Sequence, residues 1–92
     1  MNLTASEIKR MLKSWHFYKA STLSLEVGEL KRKVDAIEKA INALDDCDAA
    51  FIQMRYFKRY EVETIANELH ITRQAVYKRL NKILDRIVYC LH

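Results

Sequence analysis

The chain has 92 residues, half of them apolar, with one glycine and no proline. That much apolar content excludes a disordered polymer, and so little glycine and proline excludes the tight turns on which sheets depend. The expected fold is all-α. Charge is unevenly placed: residues 1–50 hold eight basic and eight acidic side chains, whereas residues 51–92 hold eight basic against Glu61, Glu63, Glu68 and Asp85, so the net charge of +4 lies entirely in the second half. A basic segment of this size suits an anionic partner, although charge alone discriminates weakly.

No run reaches the roughly 18–20 apolar residues of a membrane span, and the first residues lack the apolar core of a signal peptide. Cys47 and Cys90 fit neither a CxxC motif nor a disulfide framework. The expectation is a soluble, cytoplasmic chain with no membrane partner, its two reduced thiols serving as ordinary packing.

In chain order, Thr4 and Glu7 have the spacing of a capping box. Ile8, Met11, Leu12, Trp15 and Tyr18 then follow as one helical stripe, which loses phase around Ser21–Ser24, where a bend or loop is expected. Trp15, Phe17 and Tyr18 read as core or helix-pair contacts, and Lys31, Arg32 and Lys33 as a solvated face. Leu23, Val27, Leu30, Val34, Ile37, Ile41 and Leu44 are spaced 4, 3, 4, 3, 4, 3, a heptad seam. The seam fits packing against the first helix or a homodimeric coiled coil, and both remain open. Residues 1–44 are thus expected to be a packing or dimerisation segment and residues 45–92 a second unit. Asp45 and Asp46 are placed to cap the next helix, which carries Ala50, Phe51, Met54 and Phe57 on one face and runs to about Lys58. Two more helices are expected at 62–69 and 73–89.

The stretch VETIANELHITRQAVYKRL, residues 62–80, has the pattern of a helix-turn-helix. Ala66 is the small residue needed where two helices cross, and Ile65, Leu69, Ile71, Val76 and Leu80 are the apolar residues that would lock them. His70 occupies the turn position that calls for positive φ, where histidine is enriched among non-glycine residues. Thr72 caps the second helix. Val76, Leu80, Ile83, Leu84 and Ile87 then face inward, leaving Arg73, Gln74, Tyr77, Lys78 and Asn81 outward. All five can donate hydrogen bonds, as a recognition helix does to base edges in the major groove. Lys58, Arg59, Thr72, Arg79 and Lys82, with Arg86, are candidate contacts to backbone phosphates.

Met54, Arg55, Tyr56 and Phe57, followed at family spacing by Ile65, Ala66, Leu69, Ile71, Thr72, Val76 and Leu80, resemble region 4 of sigma-70-type factors. The resemblance covers residues from about 51 to 89, and implies binding of promoter DNA. The charged helical segment upstream is more similar to small phage-encoded transcription regulators of the ArpU/RinA type than to a full sigma factor. Two positions depart from the family: His70 replaces the turn glycine, and Arg59 stands where glycine often separates the helices. The implied function is a sequence-specific transcription regulator in a bacterial or phage-infected cell, with double-stranded DNA as partner and RNA polymerase as a second candidate. Two other readings stay open: a protein-interaction module using the 23–44 seam, and a small DNA-packaging, terminase-like subunit. Enzymatic chemistry is not expected. His16, His70 and His92 lack zinc-ligand spacing relative to the cysteines, one glycine cannot build a phosphate-cradling loop, and the carboxylates read as scattered on exposed helix faces. Neither a cofactor, a metal nor a small-molecule substrate is expected.

Overall fold

Six α-helices, and no strand, make up the described part of the chain; the computed structural model describes residues 3–23 and 28–91, with Leu23 as backbone only. The helices are α1 (Ala5–Lys13), α2 (Trp15–Leu23), α3 (Glu29–Asn42), α4 (Asp46–Ile52), α5 (Val62–Leu69) and α6 (Arg73–Leu91), and α4 continues into a π-helical turn at Gln53–Phe57. No described helix is long and apolar enough to cross a membrane.

Thr4 caps α1 as its sequence requires, its Oγ1 accepting the Glu7 N–H at 3.2 Å. The Glu7 carboxylate turns to α3, where Lys33 Nζ lies 3.7 Å away. The first helix does not continue to Tyr18 in one piece. Ser14 leaves helical geometry at φ −123° and ψ 36°, its N–H bonding back to Met11 and Leu12. Serine competes with the helix for its own backbone groups, which makes it a natural point of interruption. Helix α2 restarts at Trp15 and stays helical through Leu23, so the bend expected at Ser21–Ser24 does not occur at Ser21–Leu23; Ser24 lies outside the described residues.

The heptad seam is used within the chain. Val34, Ile37 and Ile41 are buried, and Leu30 and Leu44 pack half-buried against the same core. Leu44 does so from beyond the helix end at Asn42. Val27 and the Leu23 side chain lie outside the described residues. The described seam residues face α6 and α2, so from Leu30 onward the stripe that could have zipped two chains together is filled by the chain's own helices.

The principal core crosses residue 44 freely. It joins Leu3, Ile8, Leu12 and Trp15 to Val34, Ile37 and Ile41, and then to Ile52, Tyr56, Ile83, Leu84 and Ile87. Residues 1–44 therefore do not bury their apolar faces apart from residues 45–92. A second, smaller cluster contains Val62, Ile65, Ala66, Val76 and Leu80, with Phe51 and Met54 packed on it. Helix α6 extends two residues beyond the expected 89 and runs through both clusters.

The buried face of α4 differs from the expected one. Asp48, Ile52 and Tyr56 point inward at intervals of four, Phe51, Met54 and Phe57 are half-buried, and Ala50 is exposed. The π-helical turn adds a residue to the local repeat, rotating the following side chains relative to an uninterrupted α-helix. Cys47 and Cys90, expected as packing, are both exposed free thiols.

Candidate nucleic-acid interface

The helix-turn-helix forms as its residue types dictate. Ala66 is 4% exposed at the α5–α6 crossing, and Ile65 and Val76 are fully buried beside it. His70 ends α5 in the left-handed region, at φ 56° and ψ 42°, and the Ile71 N–H reaches back to the Ala66 carbonyl at 3.0 Å. This is the reverse turn for which the family uses glycine, here made by one of the few other residues that tolerate it. Thr72 then caps α6, its Oγ1 accepting the Ala75 N–H at 3.1 Å. Two of the expected locking residues do not lock. Leu69 and Ile71 are each 39% exposed, and Val62 supplies a buried contact to the cluster instead.

The π-helical turn positions the helix pair. Tyr56 is buried in the principal core, Phe57 stacks on Trp15 with ring centroids 6.3 Å apart, and Arg55 donates to the Tyr60 carbonyl at 3.1 Å. The turn closes with Lys58 N–H to the Gln53 carbonyl at 2.7 Å and Tyr60 N–H to Met54 at 2.8 Å. Arg59, the second departure from a family glycine, sits in the left-handed region at φ 58°. The Met54–Phe57 motif is therefore a joint: one residue on the small cluster, one on the connecting loop, and two aromatic rings in or against the principal core. Burial pushes the Tyr56 phenol above its ordinary range, an effect partly offset by the Arg55 guanidinium.

Arg73, Gln74, Tyr77, Lys78 and Asn81 are all exposed, and their spacing puts them on one side of α6. Tyr77 is 52% exposed and belongs to neither hydrophobic cluster. Lys58, Arg59, Thr72 and Lys82 are also exposed. At about 100° per residue, Lys82 lies roughly half a turn around α6 from Arg73, beside Asp45, Asp48 and Asp85 in a groove next to the α3–α4 connection. The first turn of α6 instead opens on a cleft lined by Arg55, Glu61, Val62, Glu63, Arg73 and Tyr77.

Arg79 and Arg86 have another employment. Asp48 is 0% exposed, its Oδ1 accepting Arg79 Nε at 3.1 Å and Nη2 at 2.8 Å, while Oδ2 accepts Arg86 Nη1. The Arg79 guanidinium also lies 5.5 Å from the centre of the Phe51 ring. A buried carboxylate needs both its charge and its lone pairs answered, and these two arginines answer them. Both arginines, read from the sequence as phosphate contacts, are thus engaged with Asp48, and the burial of Asp48 corrects the expectation that the carboxylates are all on exposed faces. One sequence signal was available: two arginines seven residues apart flank the apolar stripe of α6 on the same side.

The family model described as sigma-70, region 4 matches residues 40–87, more than half of the chain. No curated protein and no solved structure matches it. The matched span contains α4, the π-helical turn, α5 and most of α6, and so includes the whole helix-turn-helix and the joint beneath it.

Proposed function

This chain belongs to the sigma-70 region 4 family, a DNA-binding helix-turn-helix family, and we propose that it is a sequence-specific regulator of transcription that lays the start of α6 in the major groove of promoter DNA. One observation carries the reading: Arg73, Gln74, Tyr77, Lys78 and Asn81 are exposed together on the first turns of a capped helix held across α5 at a buried alanine. Arginine and glutamine there match the bidentate edges of guanine and adenine, with Lys58 and Arg59 as positioning contacts to phosphate; Lys82, half a turn away beside Asp45, Asp48 and Asp85, is not one of them. The proposal includes a phage or prophage setting and RNA polymerase as protein partner, and assigns the chain no catalysis and no cofactor.

The test is duplex-DNA binding by fluorescence anisotropy over a salt series, for wild type and for Arg73→Ala/Lys78→Ala. Expected is affinity that falls with salt at a log–log slope of about −0.9 per phosphate contact, with sequence preference lost in the double variant. Wild-type protein that fails to bind any duplex at low salt would overturn the proposal. A polymerase contact would survive that double substitution, since a protein partner has no use for the base-reading face.

A further inference from the structure

Beside the recognition helix lies a second cationic feature, partly built by residues outside the family match. Lys13, Arg55, Tyr56 and Arg59 line a cleft of about 230 Å³. Three of the four are permanent cations at neutral pH, and no acidic side chain among the described residues lines it. Glu61 and Glu63 line the adjoining cleft at the first turn of α6, together with Arg73 and Tyr77. Arg55 lines both clefts, so it stands between the base-reading face and Lys13.

We infer that this cleft is a phosphodiester-binding site for the DNA backbone, through which helix α1 joins the interface; the inference rests on the duplex-DNA reading proposed above. The fold assembles the site from three distant causes. The interruption at Ser14 ends α1 at Lys13, and α1 packs against the π-helical turn, which brings an exposed lysine up to that turn. Arg55 is held by its hydrogen bond to the Tyr60 carbonyl, so its guanidinium is placed before any ligand arrives. The left-handed backbone at Arg59 swings a cation to the same opening, where the family's glycine would bring none. Tyr56 keeps its phenol proton well past neutrality and adds a neutral donor. A duplex seated with Arg73 and Tyr77 in its major groove runs one backbone along Arg55 toward Lys13 and Arg59. Such contacts fix register and add affinity without reading bases.

The experiment is the same anisotropy salt series on several unrelated duplexes, for wild type, Lys13→Gln, Lys13→Gln/Arg59→Gly and Arg73→Ala/Lys78→Ala, each checked by thermal melting. Glycine at 59 removes the charge while favouring the positive φ already present. Lys13→Gln should flatten the salt slope by about 0.9 and the Lys13→Gln/Arg59→Gly pair by about 1.8, equally on every duplex. Sequence preference should survive in both. A wild-type slope retained in both variants sinks the inference and leaves the recognition helix standing. Absence of duplex binding by wild type sinks the DNA reading itself, and the phosphate site with it.

Discussion

Helix α6 passes through two hydrophobic clusters, and they differ in how their partners are recruited. Its second half, with Ile83, Leu84 and Ile87, is enclosed by α1, α3 and the π-helical turn in a core of fourteen buried residues among those described. Its first half meets α5 in a cluster of five, one of them an alanine, with Phe51 and Met54 completing the contact. So small a cluster buries too little surface to hold a helix pair on its own, since ordering each residue costs about 1–2 kcal/mol of backbone entropy. The first half of α6 is held in place through the other half, which the larger core anchors. In this chain the helices upstream of the family match are a foundation for the DNA-binding motif and, through Lys13, a contributor to its surface.

The largest expected effect comes from breaking that foundation. Ile83→Ala, at a residue with 0% exposure, should cost about 2–5 kcal/mol, read as a lower urea midpoint, with DNA affinity declining along the same curve. Affinity that outlasts the collapse of the larger core would show the small cluster to be independent after all. Asp48→Ala should come next. Removing one partner from a buried pair costs about 3–5 kcal/mol, but Arg79 and Arg86 are 42% and 49% exposed in their side chains and can rehydrate. A loss of about 2 kcal/mol in thermal melting is expected, and no measurable loss would mean that the arginines hold α4 to α6 no better than water does.

Ala66→Leu sharpens the comparison from the other side. Overpacking costs about 1–3 kcal/mol, and at the crossing it should push α5 off α6 and abolish duplex binding. The larger core lies elsewhere, so far-UV circular dichroism should remain close to wild type; binding retained at wild-type strength would deny Ala66 its role. The smallest expected change is a gain. His70→Gly relieves a left-handed residue and should raise the melting temperature by an amount corresponding to at most about 1 kcal/mol, whereas a drop would mean that the imidazole has a structural use besides tolerating the turn.

Most of the helix-turn-helix was legible in the residues because its signals act over three or four positions. The Thr4, Asp45 and Thr72 caps, the small residue at Ala66, the positive φ at His70 and the one-sided apolar stripe of α6 are each set by near neighbours, and each is present. Leu69 and Ile71 misled because spacing says which residues share a side, not which of them at the end of a helix the partner helix covers. The face proposed to read bases could be picked out by subtraction, as what remained on the first turns of α6 once the inward positions were assigned.

Composition and local pattern alone therefore settled that this chain is helical, where α1, α4, α5 and α6 start, and which segment has the form of a DNA reader. Tertiary structure decided the partners. A heptad seam is compatible with a second chain or with the first, and only the three-dimensional fit of Val34, Ile37 and Ile41 against α6 and α2 chose between them. Likewise Asp48 and Arg79 are separated by 31 residues, and the clustering of Lys13 with Arg55 and Arg59 spans more than forty. Local patterns are governed by backbone geometry that repeats every few residues, whereas charges and apolar faces far apart in sequence meet only where the whole chain's packing places them.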